Sequence, residues 1–395
     1  MHAAVERPFD VRERFAPLGV ALIAFGALLL VRHARVTPYD NYVILAYAWL
    51  HGHVWVNVPG SWIDALPYGN RHYIIEGPLP ALLLLPAVAV HGLQANQTML
   101  SFVLTALATA AGWELARVLE VPWRSRIVLT LFLLLGTDLF FCGAFGDVWY
   151  LAHVSAVCFT LLALVELMTQ KRAWLVMLLA ACAAFSRFSL VLAIPVYAYV
   201  LWRDADMHAR RRRFAGAAAV IVVSALLWVG YNEARWGTWY DIGYSAWYHQ
   251  DLAGAPTGSP FRLAYLPMQL YAFFIAPPQI LRGFPYLAPT QWGLALTYTS
   301  PALVLAFFAR RPVWLVAALW VATLVSAAPN FVYYVTGFTQ FGMRHALDFE
   351  PFLFALMCLA ARKGLSRWGT ALCLYSSLAG VWGFWFWTTY YRTGS

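Results

Sequence analysis

From residue 15 to residue 388 the chain repeats one pattern: a long apolar run, then a short polar turn that often carries Lys or Arg. A hydrocarbon core about 30 Å thick needs about 20 apolar residues per spanning helix. Backbone groups in lipid must bond within their own segment, so such runs predict transmembrane helices. Spans are expected near residues 15–31, 97–116, 126–142, 148–168, 173–186, 188–202, 214–232, 295–309, 313–332, 349–361 and 369–388. With the N-terminus inside, Arg124, Lys171, Arg210, Arg310 and Lys363 all fall in inner turns, and those turns hold most of the 27 Lys and Arg residues. This is the arrangement that the positive-inside rule favours.

Two runs are too short for this scheme. Residues 79–90 are opened by Pro78 and Pro80 and interrupted by Pro86. Counting them as a span would invert every later helix and put the basic turns outside, so a re-entrant or interfacial helix is expected. Residues 263–277, closed by Pro277 and Pro278, are ambiguous for the same reason. The expected fold is therefore all-α: a polytopic transmembrane bundle of about 11–13 spans, forming one integral membrane domain over residues 1–395. Long outer segments cover 32–96 and 233–294, a shorter one covers 331–348, and no separate soluble domain is expected. Function tends to sit on long segments of this kind.

Composition supports lipid as the solvent: 62% of residues are hydrophobic and 11% charged, against about 25% charged in soluble domains. The net charge of +9 is a topology signal and not a nucleic-acid footprint, because its densest cluster, Arg210–Arg213, adjoins a spanning run. Cys142, Cys158, Cys182, Cys358 and Cys373 lie in or beside apolar runs without CxxC spacing, so neither disulfides nor a zinc site is expected. Arg32 and Arg35 follow the first apolar run where a signal peptide would have small residues, so it is read as an uncleaved helix.

The candidate chemistry lies on the outer side. Asp40 directly precedes an amphipathic stretch, 42–52, and is either an acid facing an aqueous cleft or a helix N-cap. His51, His53, Asp64, Arg71, His72, Tyr73 and Glu76 follow it. A loose His-x-His on a surface segment is a poor metal site, so no cofactor is implied and a divalent metal is the less favoured alternative. Asp138 and Asp147 bracket the outer end of the third span, and His153 lies further into the fourth. An acid or His entering a membrane helix is costly and so is a candidate for function. Arg187 splits an apolar run at its outer turn. Arg344 and Asp348, four apart, either pair with each other or free Arg344, with Arg187, to grip a phosphate through a planar guanidinium.

Taken together, these residues make the chain resemble the GT-C superfamily of polyprenyl-phosphate-dependent glycosyltransferases, in particular its bacterial dolichyl-phosphate-mannose mannosyltransferase-like branch. The resemblance runs through Asp40 with Leu45-Ala46-Tyr47-Ala48-Trp49-Leu50-His51-Gly52, then Gly77-Pro78-Leu79-Pro80-Ala81 and Leu85-Pro86. It continues in Val148-Trp149-Tyr150-Leu151-Ala152-His153, Tyr231-Asn232, Arg235-Trp236-Gly237, Gly243-Tyr244 and Gln340-Phe341-Gly342 through Asp348-Phe349 to Pro351-Phe352. It implies a catalytic acid in the first outer loop, here Asp40, and interfacial helices between the first two spans. A second acid in the next outer loop would be Asp147 or Asp138. Glu76 departs from the expected neutral or aromatic residue before the Gly-Pro.

The implied activity is transfer of a sugar from a polyprenyl-phosphate donor to an acceptor hydroxyl on a lipid, glycan or protein. It would occur with inversion on the periplasmic or exterior face of a bacterial inner membrane, with a donor sugar that leans towards mannose or another hexose. Asp40 and Asp147 are the catalytic candidates, and Arg187 and Arg344 the phosphate-binding ones. His51, Tyr73, His153, Arg235, Gln340 and Asp348 are the substrate-binding candidates. The alternatives are a lipid or sugar transporter or flippase and a non-catalytic relative. Transport is disfavoured because mid-helix positions are nearly free of charge apart from Glu166, near an inner end.

Overall fold

The computed structural model describes residues 11–32, 35–56, 64–203 and 207–391, with the side chains of 11–12 and 207–213 outside the description. The arginine cluster at 210–213 is thus seen only as helical backbone.

The chain begins with α1 (Val11–Arg32). The first outer segment holds α2 (Asn41–Leu50), a hairpin of β1 (Leu66–Tyr68) and β2 (Arg71–Tyr73) in antiparallel register Leu66↔Tyr73, and α3 (Leu79–His91). The bundle continues with α4 (Gln97–Val118), α5 (Trp123–Leu135), α6 (Leu139–Phe145), α7 (Val148–Met168) and α8 (Ala173–Ser186). A 3-10 stretch, Phe188–Ala193, leads into α9 (Ile194–Arg203), and α10 (Met207–Trp236) follows.

The second outer segment carries α11 (Gly243–Gln250), α12 (Leu266–Phe274) and a minimal hairpin, β3 (Gln279–Ile280) with β4 (Leu287–Ala288). The chain returns through α13 (Leu296–Thr299) and the 3-10 helix Pro301–Phe308, then α14 (Val313–Phe331), α15 (Glu350–Ala360) and α16 (Arg367–Phe386).

Among the described residues, five helices are long and apolar enough to cross a membrane, and α5 with α6, bent by 49°, would make a sixth. The other apolar runs form shorter or interrupted helices. The single helix expected over 126–142 is thus broken, and the break falls on Gly136-Thr137-Asp138, where a Cβ on Gly136 would collide with Phe132 and Ser376.

α7 lies at the centre and is buried along most of its length, while α1 and α10 expose rows of Leu, Ile and Val such as Ile23, Leu30, Leu226 and Leu227. Bare apolar flanks of that extent fit lipid, not water. Close packing inside uses small residues: Gly112 lies against Leu133 and Phe354, and Gly143 against Thr105. Thr105 and Thr109 satisfy their hydroxyls on the carbonyls of Ser101 and Thr105, each at 2.8 Å, so α4 buries them without an external partner.

At the end of the bundle with the short turns, Arg126 reaches Glu13 at 2.6 Å between the rings of Trp113 and Trp123, and Arg172 reaches Glu166 at 2.8 Å. The opposite end carries the long segments. α3 begins and finishes there: Gly77, just before it, is pressed on the carbonyls of Phe185 and Ser186, and Gly92, just after it, lies under Tyr47 of α2. α12 also stays at that end, with Gln269 donating to the carbonyls of Tyr333 at 2.9 Å and Val335 at 2.8 Å. Both runs form helices shorter than the five that are long and apolar enough to cross a membrane.

Candidate active site

Asp40 is presented by a loop that three elements hold. The Gln97 side chain, wholly buried at the start of α4, donates to the carbonyl of Tyr39 at 3.1 Å and to that of Gly146 at 2.7 Å. Its own carbonyl accepts from the Tyr42 amide at 3.0 Å. Val148 N–H also donates to Tyr39 O, at 3.1 Å, and the Tyr39 ring packs on Trp149 at 4.8 Å. The Thr37 hydroxyl donates to the Asp147 carboxylate. Asp147 is thus a buried strut under the Asp40 loop. Asp40 itself occupies the N-cap position of α2 but makes no capping bond with its side chain, and partial burial raises its pKa. The N-cap role that its position suggested is not used.

Beside this loop lies a group of charged side chains from several segments. Asn41, adjacent to Asp40, donates to the Asp64 carbonyl at 3.2 Å. Burial raises the Asp64 pKa, and the positive charge of Arg344 opposes the rise. Glu76 is pushed up to about 8, chiefly by burial and further by the Asp64 carboxylate, while Arg187 and Arg344 pull it down. One Glu76 oxygen is buried without a partner. Two guanidiniums, from the α8 exit and from residues 331–348, therefore act on one carboxyl from the first outer segment.

Both arginines are held firmly. Arg187 binds Asp348 through two nitrogens, Nε at 3.1 Å and Nη2 at 3.0 Å. The same carboxylate receives Ser189 at 2.7 Å, Asn330 at 3.0 Å and His153 Nδ1 at 3.0 Å. Arg344 donates to the Phe338 carbonyl and to Gln340 Oε1, both at 2.9 Å, lies over the Tyr150 ring at 5.6 Å, and has an Nε without a partner. Gln340 is oriented in turn by the carbonyls of Trp292 at 2.8 Å and Thr336 at 3.0 Å. Asp348 pairs with Arg187, 161 positions away, and not with its near neighbour Arg344, so the local spacing of the latter pair pointed to the wrong partner.

The other candidates divide clearly. His153 and Asp348 are buried beneath Arg187 and support it. Tyr73 packs with Trp236, Leu66 and Ile75 in a satellite core beside α11. Arg235 bonds Ile74 O at 3.3 Å and Asn232 at 2.8 Å and stacks on Tyr231 and Trp236, fastening the end of α10 to the first outer segment. His51 is exposed at the far end of α2, bonded at 2.8 Å to Tyr47 O. Asp138 rests against Gly342. Among the described residues no group of three His, Cys, Asp or Glu is arranged to hold a metal ion. Sequence reasoning passes over Gln97 and gives Glu76 no role. The signal for Glu76 was present, an acid directly before Gly77-Pro78 in an apolar stretch, whereas nothing local marked Gln97.

A central buried helix packed among apolar ones, with short helices and a hairpin over one end, is a fold shared with a solved membrane-protein structure. A solved structure of this fold is ArnT from Cupriavidus metallidurans, bound to undecaprenyl phosphate; the match has a TM-score of 0.55 at 16% identity and covers 92% of this chain and 63% of that one. The chain therefore spans just under two thirds of the ArnT chain. No protein-family model and no curated protein matches the sequence.

Proposed function

We propose that this protein is a membrane glycosyltransferase that moves a sugar from a polyprenyl-phosphate donor to an acceptor hydroxyl, with inversion at the sugar carbon. The observation that carries this reading is that Gly77 packs on the carbonyls of Phe185 and Ser186, which sets the first outer segment beside Arg187, while Arg187 is bound through Asp348 to the 3-10 turn that carries Arg344. Such a grouping of charges suits a phosphate at its cationic side and a reacting alcohol at its acidic side.

Asp40 takes the proton of the acceptor hydroxyl as that oxygen attacks the anomeric carbon from the face opposite the phosphate. The bond from the anomeric carbon to the phosphate oxygen breaks, and the lipid phosphate leaves as an anion held by Arg344 and Arg187. A phosphate is stable as an anion near neutral pH, so no general acid is needed. Asp147, buried against Thr37, serves by holding the Asp40 loop. By the positive-inside rule these residues face the non-cytoplasmic side, the periplasm if the membrane is a bacterial inner membrane.

The test uses full-length protein in lipid nanodiscs, radiolabelled polyprenyl-phosphate hexoses, and envelope lipids and glycans as acceptors. Asp40→Asn is expected to lower transfer by about 10²- to 10⁴-fold with thermal stability and insertion unchanged. Full activity in that variant refutes the base assignment.

A further inference from the structure

At the end of the bundle with the short turns, two buried donors lie side by side with nothing to donate to. Arg126 of α5 is 6% exposed. Its Nη1 binds Glu13 of α1 at 2.6 Å and its Nη2 the Val121 carbonyl at 3.2 Å, which leaves Nε without a partner. The guanidinium lies 5.1 Å from the ring of Trp113 in α4, whose Nε1–H is also buried and unpartnered. Indole and guanidinium N–H groups can only donate. Native proteins leave few buried polar groups unsatisfied, so this pair calls for an acceptor from outside the chain.

The surroundings say what that acceptor is attached to. Two apolar stripes lead away from the pair along the bundle surface: Phe15, Leu18 and Leu22 on α1, and Trp123, Ile127 and Leu131 on α5, each at least 40% exposed. Around the polar end the charge is positive. Arg124, Lys363 and Arg367 are exposed and form no ion pair among the described residues, while the acids Glu114 and Glu120 already face Arg117 and Arg362. The turn carrying Lys363 and Arg367 is fixed to the start of α5: Leu365 N–H donates to Ser125 Oγ at 2.9 Å and Arg362 Nε to the Leu119 carbonyl at 3.1 Å. Buried donors, a cationic rim and lipid-facing stripes match the phosphate, the charge and the acyl chains of one molecule, an acidic phospholipid.

We propose that this is a binding site for an anionic phospholipid. Arg126 Nε and Trp113 Nε1 donate to its phosphate, and its acyl chains lie along the α1 and α5 stripes. Trp123 is the cover: it packs edge-on against Trp113 at 4.8 Å and over Arg126 at 5.6 Å, yet is 43% exposed, so its ring turns aside to admit the phosphate. By the positive-inside rule the lipid belongs to the cytoplasmic leaflet. The site is therefore remote from Asp40 and independent of the glycosyltransferase reading.

Full-length protein in detergent is titrated with phosphatidylglycerol, with diacylglycerol of the same chains and with inorganic phosphate, and bound molecules are counted by native mass spectrometry. The wild type is expected to hold one phosphatidylglycerol about 10- to 100-fold more tightly than diacylglycerol, the worth of one or two charge-assisted hydrogen bonds. Inorganic phosphate should not displace it. Arg126→Met should remove the preference but also strips Glu13 of its partner, so the decisive variant is Trp113→Phe, which keeps a ring and the Arg126–Glu13 pair. It should lower phosphatidylglycerol affinity about 3- to 10-fold and leave diacylglycerol unchanged. Lost packing lowers the melting temperature with and without lipid alike, whereas the increment that phosphatidylglycerol adds should shrink only if the N–H binds it. Equal binding of both lipids by wild type, an undiminished preference in Trp113→Phe, or displacement of the lipid by inorganic phosphate would overturn the proposal.

Discussion

At the scale of the residue, Glu76 has a consequence for stability that needs no substrate. Its pKa is about 8 in the fold, against an ordinary value of 4.5. Below pH 4.5 the group is protonated in both folded and unfolded chains and is neutral in effect. Between 4.5 and 8 the unfolded chain gives up the proton while the fold keeps it, so the fold binds more protons and loses stability as pH rises. Above 8 the effect levels off. Melting curves in nanodiscs from pH 5 to 9 should therefore fall more steeply for wild type than for Glu76→Gln, with the difference settled by about pH 8. Parallel curves would mean that Glu76 is not held protonated. The sequence marked this residue as an acid out of place, but its environment comes from Asp64, Arg187 and Arg344, none of which is near it along the chain except Asp64. Asp147 teaches the same lesson: its entry into α7 was visible, and its partner Thr37, 110 positions away, was not.

At the scale of the element, α2 is aimed by Gln97, which joins its first turn to the α6–α7 corner. Gln97→Leu keeps similar volume but leaves two carbonyls and one amide without those bonds, so the Asp40 loop should shift. Turnover is expected to fall about 10- to 100-fold, as misplacement of a catalytic group commonly costs, while donor KM changes little. Gln97→Glu keeps the acceptor for the Tyr42 amide and should recover part of the loss. Equal effects of both changes on kcat and KM, with a lower melting temperature, would reduce Gln97 to a packing residue. Element boundaries were legible where composition punctuates them: Pro78, Pro80 and Pro86 marked α3 as short, and it is. The bend between α5 and α6 was hidden because Leu, Phe and Cys continue past Gly136-Thr137-Asp138, and apolar content reports burial in lipid but not direction.

At the scale of the whole molecule, the placement of α3 decides which face carries chemistry. Its two ends lie at one end of the bundle, against Ser186 and Tyr47, so α1 and α4 run in opposite senses and every later helix keeps the basic turns together. Charge counting proposes from sequence which end faces the cytoplasm, because the cost of moving Lys and Arg across a membrane is additive and needs no tertiary detail. Arg187 and Arg344 lie at that same end, joined through the Arg187–Asp348 pair in the 3-10 turn that Arg344 opens. A chemical test is direct, because four of the native cysteines are buried and Cys182 is half-buried. Cysteines introduced singly at Arg71, His91 and Lys363, all exposed, are treated in sealed inside-out and right-side-out vesicles with a maleimide that cannot cross lipid. Arg71→Cys and His91→Cys should react from one side and Lys363→Cys from the other. If His91→Cys reacted with Lys363→Cys and opposite to Arg71→Cys, α3 would span the membrane, α4 and all later helices would be inverted, and the shared surface for Asp40, Arg187 and Arg344 would be lost.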